Sequence, residues 1–422
     1  ILKKDRAGAL FASGLLAAAD RGVRVRLLVD DIFSPGVDEA FSLLASHPNI
    51  HVRLFNPLPR QSAKYLGFIT DFKRTNRRMH NKSLTVDASL SIVGGRNIGE
   101  EYFEINQDVQ FDDYEILMVG EIVDEVSVGF DVFWNSDLAL PIEAFGLEVD
   151  PLELDRWRDL IRKTVQTKAD GLYATAMNSP LLQEMREGKV KPVVAKATLV
   201  TDKPDKLQAE VGKREHKVLV EEMARRFQDA EKEVLIVTPY YIPRTAGAEF
   251  MEALVARGVR VIVVTNSLAS TNHLPVHSGY ARYRKRMLEA GVEFYEVRVD
   301  SVSEDNLWGN QPQSVTLHSK ATIIDRESIF IGSLNFDPRS LDINTEMGVF
   351  IESAEVGAGF RENIERGLRD STWKVDLDEN GNLRWTYDDG ERRQISDQEP
   401  QSSWWQRFQV VFYRLLPIEN QL

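Results

Sequence analysis

The stretch HSKATIIDRESIFIGSLNFDPRSLDINTE, residues 318–346, decides the fold, because HNKSLTVDASLSIVGGRN at 80–97 repeats its first part. The later copy carries His318, Lys320, Asp325, Gly332 and Asn335. The earlier one carries His80, Lys82, Asp87, Gly94 and Asn97 at the same spacings. With seven histidines in 422 residues, two in matching frames are a duplication and not an accident. Both copies alternate polar and β-branched residues, as half-buried strands do. Strand period 2 places His80 with Lys82, and His318 with Lys320, on one face. Asp87 and Asp325 have the opposite parity and open short polar connections, so they are expected to shape turns and orient the motif. A second strand beyond each connection then returns Asn97 or Asn335 to its His and Lys.

The repeat extends outward. AGALFASGLLAAADRGVRVRLLVDD at 7–31 reads as a helix and a buried strand, and AEFMEALVARGVRVIVV at 248–264 repeats it. Arg21 lies 59 residues before His80, and Arg257 lies 61 before His318. The later copy has a strand before its helix, EVLIVTPYYIP at 233–243. The earlier copy has no equivalent after Ile1, so one strand of the natural protein is expected upstream of it. The expected organisation is a first lobe at 1–150, a connection at 151–215, a second lobe at 216–370 and a C-terminal hairpin and helix at 371–422.

Composition narrows the function. A net charge of −13 argues against a general nucleic-acid binder, which needs a basic face. The chain has no cysteine, which excludes thiol catalysis and disulfides. No run of 18 apolar residues is present. Arg60, Lys64, Lys73, Arg74, Arg77 and Arg78 ahead of the first motif admit two readings, a solvated surface or an electropositive rim near His80. His273 and His277 have i, i+4 spacing, but Pro275 between them argues for a polar, substrate-lining loop and against a metal-binding helix. Glu115 and Glu346 follow the two motifs on strand-like segments, where a carboxylate could hold an imidazole in one tautomer. In the tail, Trp404, Trp405, Phe408, Val411, Phe412, Leu415 and Leu416 form a broad helical stripe. It suits either a helix docked on the body or an interfacial membrane helix.

Two copies of H-x-K-x(4)-D, each followed by G-G/S-x-N, resemble the phospholipase D superfamily over nearly the whole chain. VGGRNIGEEYF and GSLNFDPRSLDINTE, with the closing LLPIENQL, are similar to the bacterial cardiolipin synthases, the tail to those of the C type. The resemblance implies an α/β protein with a duplicated phospholipase D fold. Two α/β/α lobes with mixed sheets would share one active site at a pseudo-two-fold interface, with no cofactor and no metal. It assigns His80 as nucleophile through a phosphohistidine and His318 as acid and then base. Lys82, Lys320, Asn97 and Asn335 would hold the phosphoryl oxygens, and Glu115 and Glu346 would orient the histidines. The implied partners are phospholipids (phosphatidylglycerol, with phosphatidylethanolamine a candidate donor) at a membrane surface, with no nucleic acid. The implied location is peripheral to, or anchored at, the bacterial cytoplasmic membrane. A hydrolytic phospholipase D and a metal-independent nuclease use the same residues and stay open as alternatives.

Overall fold

The computed structural model describes residues 2–32, 38–60, 71–146, 149–169, 174, 177–209, 216–301 and 312–422. In the first lobe α1 (Arg6–Asp20), capped by Asp5, leads into β1 (Val25–Asp30), followed by α2 (Asp38–Ala45), β2 (Ile50–Phe55) and the single turn α3 (Phe72–Thr75). Then come β3 (Ser83–Val86), β4 (Leu90–Gly94), β5 (Val109–Asp112), β6 (Glu115–Val119), α4 (Ile122–Trp134) and β7 (Ala139–Pro141). All of these strands but β5 form two separate sheets, β1-β2-β7 and β3-β4-β6. The connection holds α5 (Pro151–Ala169), α6 (Pro180–Arg186) and β8 (Lys196–Thr201).

The second lobe repeats the order as α7 (Val218–Asp229), β9 (Glu233–Val237), α8 (Arg244–Ala256), β10 (Arg260–Asn266), α9 (Leu274–Glu289) and β11 (Glu293–Val297). β12 (Ser314–Leu317), β13 (Ala321–Ile324), β14 (Ser328–Gly332), α10 (Pro338–Asp342), β15 (Met347–Glu352) and α11 (Ala354–Ser371) complete it. Here a single mixed sheet runs β18-β17-β16-β11-β10-β9-β13-β14-β15-β8. Its β9, buried at every position, joins the parallel half (β9, β10, β11) to the antiparallel motif hairpin. A strand with both faces covered should be apolar throughout, and Val234, Leu235, Ile236 and Val237 are. β8 pairs with β15, so the last strand of the connection is an edge of the second lobe's sheet. The opposite edge is extended by β16 (Thr372–Leu377), β17 (Leu383–Asp388) and β18 (Arg393–Ser396). The tail is therefore continuous with the second lobe up to Ser396, and only α12 (Trp404–Arg414) stands outside the sheet.

The motif hairpins turn alike. Asp87 and Ala88, and Asp325 and Arg326, all have positive φ, between 49° and 64°. Asp325 accepts hydrogen bonds from the amides of Glu231, Lys232 and Glu233 at 2.9, 2.7 and 2.9 Å, fixing the hairpin tip to the start of β9. Asp87 lies exposed at the equivalent turn.

The lobes are stitched together reciprocally. β12 of the second lobe pairs in parallel with β5 of the first, Leu317 opposite Asp112. Conversely, Met79 of the first lobe bridges Thr345 of the second, and the His80 amide donates to the Thr345 carbonyl at 3.0 Å. Each motif histidine is thus led in beside a segment of the other lobe.

Candidate active site

The histidine segments owe their position to buried polar groups. Asp30, at the end of β1, takes Arg78 Nε at 2.9 and 3.1 Å and the Met79 amide at 2.9 Å. This pair is almost fully buried, where losing one partner would strand a charge and cost about 3–5 kcal/mol. Asp202, just past β8, takes Lys206 Nζ at 2.7 Å and the Glu346 amide at 3.1 Å. Aspartate 30 fixes the approach to His80, and Asp202 fixes the residue that will face it.

His80 Nδ1 lies 2.9 Å from Glu346 Oε2, and the Ser333 hydroxyl donates to the same oxygen. His318 Nδ1 lies 2.6 Å from Asp113 Oδ2. A carboxylate can only accept, so the His80 ring carries its proton on Nδ1 and keeps a lone pair on Nε2. Each carboxylate comes from the lobe opposite its histidine. Lys82 Nζ donates to the His80 carbonyl at 2.6 Å. Lys320 Nζ donates to the His318 carbonyl and lies 2.7 Å from Nδ1 and 3.3 Å from Nε2 of that ring. Phe111 stacks on the His318 ring at 5.4 Å and 11°, and Tyr102 meets its edge at 5.1 Å and 85°. Asn97 donates to the Tyr102 hydroxyl at 2.7 Å. Asn335 is buried with no hydrogen-bond partner for its Oδ1.

Burial lowers the pKa of His80, with Glu346 opposing it and Lys82 reinforcing it. His318 is driven well below the usual range by burial, then by Lys320, Lys82 and His80. Burial also brings Lys82 down to about 7 and Lys320 down to about 8, against the pull of Glu346 on the first and Asp113 on the second. The two motifs meet across the lobes, His80 on Glu346 and His318 on Asp113, and Lys82 and His80 add to the lowering of the His318 pKa. Two imidazoles with lowered pKa values, beside two lysines that burial brings to about 7 and about 8, form a site whose charge an anion would shift. A phosphodiester entering there would draw protons onto both lysines and onto one imidazole.

The chain matches the family model described as cardiolipin synthase, phospholipase D-like domain, over residues 8–134 and 223–368. It is 37% identical to cardiolipin synthase C of Escherichia coli K12 over 99% of this chain and 89% of that protein. The chain belongs to the cardiolipin synthase family of phospholipase D-like proteins. Its likeness within this family extends to cardiolipin synthase B of E. coli K12, at 24% identity over 88% of this chain and 74% of that protein. Among solved structures, the phosphatidylserine synthase of Haemophilus influenzae covers 98% of this chain, which covers 94% of it, with a TM-score of 0.55 and 13% identity. That likeness shows the duplicated fold.

In this family member the structure brings together His80, Lys82, Glu346, His318 and Lys320, with Asn97 joined to them through Tyr102, while Asn335 is buried. Glu115 is not among them. It pairs with Arg96 at 2.9 Å and is partly exposed, and the carboxylate on His318 is Asp113, two residues earlier. Sheet register gives the reason. Gly94 faces Glu115 across β4–β6, whereas the corresponding Gly332 faces Gly348 across β14–β15. Glu115 therefore matches Gly348, and Asp113 matches Glu346. Aligning the apolar runs Ile116–Val119 and Val349–Glu352, instead of the two glutamates, would have found it. Gly95 lets this group assemble, since a Cβ there would lie 2.5 Å from Asp113 Oδ1 and 2.9 Å from Lys320 Cδ.

Two neighbouring expectations are corrected. His273 and His277 do not lie in one polar loop, because α9 begins at Leu274 with Pro275 in its first turn, where its missing N–H costs nothing. His277 is buried beside Tyr280. The basic run is largely neutralised: Arg60 pairs with Asp31 and Asp38, Arg74 with Asp71 and Arg78 with Asp30. Arg77 caps the Leu207 and Ala209 carbonyls, and Lys64 lies outside the described residues.

Proposed function

We propose that the protein transfers a phosphatidyl group from a phospholipid to a hydroxyl of phosphatidylglycerol, making cardiolipin. The observation that carries this reading is the reciprocal pairing of His80 with Glu346 and His318 with Asp113, each backed by a lysine. His80 Nε2 attacks phosphorus, the bond to the departing head-group oxygen breaks, and His318 gives that oxygen a proton. The acceptor hydroxyl then loses its proton to His318 and attacks phosphorus, and the P–N bond breaks. Lys82, Lys320, Asn97 and Asn335 hold the phosphoryl oxygens as they gain charge. Glu346 supports the positive ring that phosphorylation creates on His80, and Asp113 supports protonated His318. The assignment of attack to His80 and not His318 follows the family resemblance.

The protein is proposed to act at the surface of the bacterial cytoplasmic membrane. Among the described residues no helix is long and apolar enough to cross a bilayer. Mass spectrometry of lipids after incubation with phosphatidylglycerol vesicles, with and without phosphatidylethanolamine, tests the reading. Cardiolipin from the wild type and from neither His80→Ala nor His318→Ala is expected. Phosphatidic acid alone would replace the transferase by a lipase, and no product from any diacyl donor would reject both.

A further inference from the structure

α12 is a well-formed helix with an unusual outer face. Ser403 and Gln406 close a reciprocal capping box at its start. Val410, buried, turns inward, and the helix packs along α9. On the far side Trp404, Trp405, Phe408, Val411, Phe412 and Leu415 are 68%, 56%, 48%, 58%, 51% and 79% exposed. At about 100° per residue these six fill an arc of roughly 120°, opposite Val410. Trp404 and Trp405 both stack on Phe408, with centroids 5.6 and 5.4 Å away, giving a flat aromatic plate. Arg407 and Arg414 lie along one border of the arc, and the helix has no acidic residue, in a chain of net charge −13.

We propose that α12 seats the protein on an anionic lipid bilayer, lying in the interface with this arc inserted among the head groups. An aromatic and aliphatic plate bordered by arginines fits that boundary, where indole rings and guanidinium groups settle. A second copy of the chain fits worse. Eleven residues span about 16 Å, too short a stripe for the roughly 800 Å² that each partner in a stable pair buries. Continuity with the catalytic centre favours the bilayer too. The segment after α12 is held by Arg282 and Tyr283 through Glu419, at 2.8 and 2.6 Å. It reaches the segment ahead of His80 and α10: Asn76, at the end of α3, donates to Gln421 Oε1 at 2.8 Å, and the Arg339 amide of α10 donates to the Leu422 carbonyl at 2.8 Å. Asn420 and Gln421, with Phe72, Lys73 and Arg77, are among the residues that line a cavity of about 450 Å³. α12 is thus connected, through the eight residues 415–422, to Asn76, which lies four residues ahead of His80.

The proposal rests on that reading only for the choice of lipid, and its test separates the two. The full chain and a Trp404→Glu/Phe408→Glu variant are sedimented with phosphatidylglycerol vesicles and with phosphatidylcholine vesicles. Both are also assayed on monomeric dihexanoyl-phosphatidylglycerol. Wild type is expected to bind the anionic vesicles at least tenfold better than the variant does, with turnover of the monomeric lipid equal in both. A brominated-lipid series on wild type, which needs no variant, should quench tryptophan emission most strongly at shallow bromine positions. Equal vesicle binding by variant and wild type, absent quenching, or a wild-type dimer that the substitutions split would each overturn the proposal. Vesicle binding without turnover of either lipid would instead overturn the transferase reading and leave the seating of α12 standing.

Discussion

At the scale of single residues, Asp113 and Glu115 show how little separation in sequence divides a chemical role from a surface one. Asp113 holds His318 at 2.6 Å from full burial, whereas Glu115 is tied to Arg96. Asp113→Asn is expected to lower kcat for cardiolipin formation by a factor on the order of 10⁴, by analogy with the aspartate of a serine-protease triad. Glu115→Gln should change it less than about threefold in the same assay, as a surface ion pair is worth little. The lysines set a pH limit. With Lys82 near 7 and Lys320 near 8, the ligand-free site loses positive charge as pH rises through that range. The profile of kcat/KM is expected to fall above about pH 7–8. A bound phosphodiester stabilises the ammonium forms, so the falling limb of kcat should lie at higher pH. Lys82→Arg, charged throughout, should remove the lower of the two limbs from kcat/KM even if it reduces the maximum. For stability the sign is the reverse of the usual lysine case. Their folded pKa values lie below the unfolded ones, so these groups oppose folding fully below about pH 7, and that opposition fades as pH rises towards 10.5.

At the scale of elements, the hairpins β3–β4 and β13–β14 are scaffolds that set registers. Two consecutive positive-φ residues close each one, and in the second Asp325 ties the tip to β9 through three amides. Asp325→Ala is expected to destabilise the protein by about 1.5–3 kcal/mol in denaturant unfolding, from the loss of charge-assisted hydrogen bonds. Gly95, at the exit of β4, lies against Lys320 of the other lobe. Gly95→Ala should cut activity more than tenfold, with a melting temperature within a few degrees of wild type. The inserted methyl group presses on the Asp113 carboxylate and the Lys320 stem, and not on a hydrophobic core. The hairpins were legible in the sequence because alternation and turn chemistry are local. The supporting groups Asp30, Asp202 and Ser333 were not, because nothing near them in sequence marks an aspartate that will be buried against an arginine 48 residues away.

At the scale of the whole molecule, the active centre exists only where the lobes cross. β12 lies on β5, Met79 lies on Thr345, and each histidine takes its carboxylate from across that seam. A double-mutant cycle tests this directly. His318→Ala with Asp113→Asn should be no slower than His318→Ala alone, since the carboxylate acts through the ring it holds. The cross-pair His318→Ala with Glu346→Gln should lose a further factor, because Glu346 serves His80. Additivity within the first pair would remove the cross-lobe assignment.

By itself the sequence determined the duplication, the histidine, lysine and asparagine positions, the turns that carry them, and the family resemblance. These follow from spacing and side-chain period, which survive in one dimension. The tertiary structure alone decided which acid serves His318, which basic residues are neutralised, and which face of α12 is left uncovered. Each of those depends on groups brought together from distant parts of the chain, and a shift of two residues in strand register moves a carboxylate from a buried imidazole to a half-buried arginine.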